Sequence, residues 1–171
     1  MLKRIILPSL LLLLIACNSG EKKSEQAETE QWIQLFNGKD LDDGIIKINK
    51  HPLRENYNNT FRVRDSLLVT SYEEYDTFDE EYGHIFYKTP FSHYKLRVEY
   101  RIVGEQVEGG PSWAYKNSGV MFHARPPGEM LIDQQFPVSL EAQFLGGQGE
   151  GERPTANLCT PGTHVVMDGE L

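Results

Sequence analysis

After residue 30 the chain is built from short apolar alternations separated by turn residues, and it contains no amphipathic stretch of useful helical length. That pattern restricts the fold to an all-β class, because a period of two places successive side chains on opposite faces of a sheet. The clearest strand runs from Tyr94 to Ile102, where Tyr94, Leu96, Val98, Tyr100 and Ile102 alternate with Lys95, Arg97, Glu99 and Arg101. Ile45 to Asn49 is a second. Phe61–Arg64 and Leu67–Thr70 flank Asp65-Ser66 as a hairpin. Ser118 to Arg125 and Val138 to Leu145 follow, and Thr163 to Met167 reads as a last strand before the Asp168-Gly169 turn. The chain stops at Leu171, where a return strand is expected, so the domain reads as incomplete at its C-terminus, a fragment with an open edge.

Three long loops lie between these strands: Tyr72 to Gly83, acidic and aromatic; Gly104 to Lys116, glycine-rich and containing Trp113; and Gly146 to Pro161. Loops of this length in a small domain are either functional or disordered insertions.

Residues 1–16 read differently. Lys3 and Arg4 precede an apolar run from Ile5 to Ile15, shorter than the roughly 20 residues a membrane span needs. A signal peptide fits better. Its end, Leu14-Ile15-Ala16-Cys17, resembles a bacterial lipobox, which makes Cys17 the expected lipidation site and the lipid membrane an expected partner. Several acyl chains on one cysteine, at about 0.8 kcal/mol per buried CH₂, hold a protein durably. Residues 17–30 are polar and without periodicity, a tether between the anchor and a domain spanning 31–171. The expected location is the bacterial cell envelope, periplasm-facing or at the surface.

With 17 basic against 25 acidic residues, the chain is a poor match for nucleic acid, which needs a surplus of Lys and Arg. Nucleotide-binding glycine motifs, CxxC and HExxH are all absent from the sequence. Cys159 is the remaining thiol of the folded part; in an exported protein it can keep a disulfide, with a partner in a missing segment if the chain is a fragment.

Strand alternation nominates site residues. In 118–125, Ser118, Val120, Phe122 and Ala124 share one face, and Gly119, Met121, His123 and Arg125 the other. In 138–145, Val138, Leu140, Ala142 and Phe144 oppose Ser139, Glu141, Gln143 and Leu145. If these strands and 94–102 share a sheet, His123, Arg125, Glu141, Gln143, Glu99 and Arg101 line one polar surface. A half-buried sheet needs a polar outer face in any case. That plainer reading suits Lys95, Arg97, Glu99 and Arg101, whereas His123 and Glu141 sit in otherwise apolar strands beside glycine-rich loops. They are expected to project from the same face and to act as the catalytic pair. Trp113 and Tyr115 can stack on a sugar ring or pin their loop.

Several stretches together resemble one family. They are Leu35-Phe36-Asn37-Gly38-Lys39-Asp40-Leu41, Tyr94 to Arg101, and Asn117-Ser118-Gly119-Val120-Met121-Phe122-His123, followed by Pro137 to Phe144 and Val165 to Gly169. In order and spacing they look like the 3-keto-disaccharide hydrolase family. The resemblance implies a concanavalin A-like, laminarinase-like jelly-roll sandwich of two antiparallel sheets. It also implies cleavage of glycosides already oxidised at C3, by hydrolysis or by elimination and hydration. A divalent metal serves some members, for which His123 and Glu141 are the candidate ligands here. A C3-oxidising sugar dehydrogenase is the implied pathway partner, and an oligosaccharide or glycoside the substrate, with Arg125, Gln143, Glu99, Arg101 and Trp113 as binding candidates.

Ordinary retaining glycosidases need two carboxylates about 5–5.5 Å apart. On the laminarinase-type catalytic strand these come four residues apart, with an Asp between them. Here Glu141 is followed by Gln143 and Leu145, so that pair is broken. A 3-keto sugar does not need it. The carbonyl acidifies the C2 proton, so one base (Glu141 or His123) and one electrophile (Arg125 or a metal) suffice. A non-catalytic carbohydrate-binding lipoprotein and a structural envelope protein are the competing readings.

Overall fold

The computed structural model describes residues 31–166 and Asp168. The expectations for the signal peptide, Cys17 and the tether therefore lie outside the described residues. Regular structure is β throughout, with no α-helix among the described residues and only single 3₁₀ turns at Tyr57–Asn59, Ser112–Ala114 and Pro127–Glu129. The strands are β1 (Gly44–Ile48), β2 (Phe61–Arg64), β3 (Leu67–Thr70), β4 (Gly83–Tyr87), β5 (Asn117–Phe122), β6 (Leu140–Leu145) and β7 (Asn157–Cys159). They pair antiparallel as β1–β4, β2–β3 and β5–β6–β7.

The β2–β3 hairpin closes as the sequence predicts. Asp65 and Ser66 both take positive φ, 51° and 61°, the twist a two-residue hairpin turn needs. The core forms where β1 meets it: Ile46, Ile48 and Phe61 are buried, with Leu41, Tyr57 and Ile85 packed against them. Gly83 packs closely here: a Cβ there would stand 3.0 Å from the Phe61 ring. The other face of β1 is covered too. Lys47, only 2% exposed, donates from Nζ to the carbonyls of Ile48 (2.8 Å) and Ile132 (3.1 Å). Burial pushes its ammonium pKa below the ordinary value. Opposite Lys47 stands His84, whose Nε2 hydrogen-bonds the Gln135 carbonyl at 2.7 Å.

Several strand expectations need correction. Residues 94–102 form no strand, and Tyr94, Leu96, Val98 and Tyr100 stay 41–50% exposed. The Tyr94 ring lies 5.8 Å from His123 and Tyr100 stacks on Phe144 at 4.1 Å, so the segment touches the sheet without joining its ladder. Alternation states which side chains share a face; it does not supply a neighbouring backbone to pair with. Residues 163–166 likewise form no strand, and Met167 lies outside the described residues. The two sheet strands are shorter than expected, β5 ending at Phe122 and β6 beginning at Leu140. Conversely, β4 was not anticipated, and β7 lies inside what reads as the loop from Gly146 to Pro161.

Candidate functional site

The register of β5–β6–β7 builds two rows across one face. Met121 opposes Glu141, which opposes Cys159; Gly119 opposes Gln143, which opposes Asn157. The reverse face carries Val120, Ala142 and Leu158, with Phe144 beyond them. Glu141 and Gln143 thus stand side by side, two residues apart on one strand.

Gly119 decides where the carboxylate sits. A Cβ at Gly119 would stand 2.4 Å from Glu141 Oε1, 2.9 Å from its Cγ and 2.9 Å from the Ala142 carbonyl oxygen. The Glu141 side chain therefore lies across Gly119, in space that only glycine leaves free. Loss of water holds its carboxyl above the ordinary carboxylate value, and a hydrogen bond from the Cys159 thiol partly opposes that. The thiol is itself pushed up, by burial first and then by the nearby carboxylate. Cys159 is a free cysteine. A carboxyl raised in this way is a stronger base than an ordinary carboxylate.

The second row supplies hydrogen-bonding groups. Asn157 Nδ2 donates to Gln143 Oε1 at 3.1 Å and to the Pro154 carbonyl at 3.0 Å. That contact fixes the Gln143 amide, whose Nε2 makes no hydrogen bond among the described residues.

His123 is not part of this face. It lies one residue past β5 at φ 52° and exposed, with its ring 5.8 Å from Tyr94 and 6.0 Å from Phe122. No hydrogen bond joins it to Glu141 among the described residues. Pairing resumes where the Arg125 N–H reaches the Val138 carbonyl at 2.9 Å, one residue out of step with the β5–β6 register. The left-handed residue thus acts as a bulge, and a bulge breaks the alternation that would have put His123 beside Glu141. Arg125 is exposed, its guanidinium 3.8 Å from Glu129. Glu99 and Arg101 are exposed on the 94–102 segment. Trp113 is half-exposed and stacks on Tyr82, centroids 5.5 Å apart at 25°. Of the candidates, Glu141 and Gln143 share the described face of the sheet, while His123 and Arg125 lie past the end of β5. Cys159 and Asn157 were missed because β7 has three residues and sits among prolines; Gly119 was seen only as part of a strand.

A family model, the 3-keto-alpha-glucoside-1,2-lyase-like domain, matches residues 31–169. The chain belongs to this family. No curated protein and no solved structure matches it. For a 3-keto-alpha-glucoside-1,2-lyase-like domain the broken carboxylate pair is no obstacle. Membership places the chain in carbohydrate chemistry, and the fold agrees as far as an all-β, antiparallel architecture. The divalent metal that the resemblance implies finds no ligand set among the described residues. Among the described residues no three His, Cys, Asp or Glu side chains gather to hold an ion, and Glu141 has Cys159 rather than His123 beside it.

Proposed function

We propose that this protein cleaves glycosides already oxidised at C3, with Glu141 as the base. The observation that carries the reading is the half-buried Glu141 carboxylate laid across Gly119, raised in pKa and with Gln143 beside it. The C3 carbonyl of such a sugar acidifies the C2 proton. Glu141 takes that proton, and the electron pair of the C2–H bond moves toward the carbonyl as an enolate. The Gln143 Nε2–H group is placed on the same face to donate to the oxygen where this charge collects. Collapse of the enolate restores the C3 carbonyl, forms the C1–C2 double bond and breaks the glycosidic C1–O bond, and the departing alkoxide takes a proton from water. Water added at C1 completes a net hydrolysis.

The reading extends to a jelly-roll sandwich displayed on the bacterial envelope through lipid on Cys17, with a C3-oxidising sugar dehydrogenase supplying the substrate. Arg125, His123, Glu99 and Arg101 are assigned no proton transfer here, because the side chains paired with or next to Glu141 on its face are Met121, Cys159 and Gln143, with Gly119 leaving it room. The test is Glu141→Gln in the full chain, assayed on a 3-keto-disaccharide for released sugar. Turnover falls at least about a hundredfold, the scale for losing a general base. Unchanged turnover refutes the assignment. No turnover by the wild type with sugar still bound leaves the carbohydrate-binding lipoprotein, which the exposed Trp113 ring would serve.

A further inference from the structure

Two of the long loops singled out by composition meet in the structure, around a cleft that Glu141 does not line. The acidic, aromatic loop after β3 and the glycine-rich loop before β5 are joined where the Phe78 N–H reaches the Glu108 carbonyl at 2.7 Å and Thr77 Oγ1 donates to the same oxygen at 3.2 Å. Gly109, at φ 83°, allows that contact: a Cβ there would stand 2.7 Å from the Phe78 carbonyl oxygen. The segment before β6 closes the third side, its Phe136 ring 5.0 Å from Tyr82 and 6.3 Å from Trp113. Between them opens a cleft of about 460 Å³ lined by Phe78, Asp79, Glu80, Tyr82, Trp113 and Gln135 among others. That volume lies in the range of small-molecule sites.

We propose that this cleft binds a neutral pyranose ring stacked on Trp113. The indole is backed by Tyr82 on one face and remains 52% exposed, so a flat, rigid, electron-rich surface is held open to solvent. The C–H groups on one face of a pyranose carry the slight positive charge that an aromatic face attracts. Hydroxyl groups at the ring edge need acceptors and donors. Glu80 and Gln135 line the cleft, and neither side chain makes a hydrogen bond among the described residues. Asp79 is already bonded to Lys50 at 2.8 Å. The excess of carboxylates selects against uronic acids and sulfated sugars, which like charges repel. The choice of a sugar as ligand rests on the carbohydrate reading above. The cleft would hold the unoxidised part of a glycoside or a separate glycan, independently of Glu141.

The chain has two tryptophans, so Trp32→Phe in the full protein leaves Trp113 as the only indole. Its fluorescence is titrated with cellobiose and maltose, and with digalacturonic acid as the charged counterpart. A saturable change is expected with at least one neutral disaccharide and none with digalacturonic acid. Glu80→Ala and Gln135→Ala, both at the cleft wall, weaken it at least about fivefold, while Glu141→Gln leaves it unchanged. Trp113→Ala, checked for folding by circular dichroism, abolishes binding measured by calorimetry. No saturable response in the folded protein, or one lost in Glu141→Gln but not in Glu80→Ala, overturns the proposal. An equal response to digalacturonic acid does the same. Saturable binding by a protein with no turnover of 3-keto-disaccharides refutes the catalytic reading and not this one.

Discussion

Gly119→Ala is the most direct test of how Glu141 is seated. The added methyl would lie 2.4 Å from Glu141 Oε1, and ordinary contact needs about 3.5 Å, so the carboxylate must retreat by about 1 Å. It cannot retreat alone, because the same methyl also stands 2.9 Å from the Ala142 carbonyl oxygen, which is held in the β5–β6 ladder. Overpacking of this kind costs about 1–3 kcal/mol, or about 3–15 °C in Tm for a domain of this size. Pushed outward, the carboxylate regains water, so its pKa falls back toward the ordinary value. Two assays follow both effects: a thermal melt, and a carbon-detected NMR titration of the Glu141 carboxyl. Adding Glu141→Ala to Gly119→Ala removes the side-chain part of the clash and restores some of the lost Tm, a coupling that neither single variant reports. A Gly119→Ala protein with wild-type Tm and an unmoved Glu141 titration would refute the geometry outright.

Three further outcomes are expected. Cys159→Ala removes the thiol hydrogen bond that lowers the Glu141 pKa, so that pKa rises further and the acidic limb of the pH–rate profile moves to higher pH; Cys159→Ser, which keeps a donor, restores it. His84 is largely shielded from water and held below its ordinary pKa of 6.5 by that desolvation, so the folded protein resists protonating it. Its contribution to stability is complete above about pH 6.5 and is lost as pH falls from there through the folded value; a chemical-denaturation series should show that loss in the wild type and less of it in His84→Gln. Metabolic labelling with a palmitate analogue should mark the wild type and not Cys17→Ser, and a soluble, unlabelled wild type would remove the anchor.

Legibility in the sequence followed the locality of each interaction. The β2–β3 hairpin needs only its own residues, Asp65 and Ser66 in left-handed conformations and an alternation on either side, and it was predicted to the residue. The β5–β6 pair was placed correctly in the interior and wrongly at the ends, where the bulge at His123 intervenes. His123 is a non-glycine residue at positive φ, a conformation that its alternating neighbours do not announce. The strongest alternation of all, Tyr94 to Ile102, has no ladder partner among the described residues. In contrast, β4 is a strand although Gly83 and His84 weaken its pattern, because β1 offers a full register from Gly44 to Ile48. Pairing is a property of two segments, and a single-segment pattern carries half of it.

The same distinction governs the site. Glu141 stood out as a carboxylate in an apolar strand, a local fact. What makes it a credible base is not local: the missing side chain at Gly119 on one neighbouring strand and the thiol of Cys159 on the other, which come from 22 residues before it and 18 after it in the chain. Removing either neighbour should move the Glu141 pKa in opposite directions, down for Gly119→Ala and up for Cys159→Ala. A carboxylate that merely decorated a solvated outer face would respond to neither, because water would already screen it. If both variants instead leave the Glu141 titration at the wild-type value, the carboxylate is solvated, and β6 carries no base for C2 deprotonation.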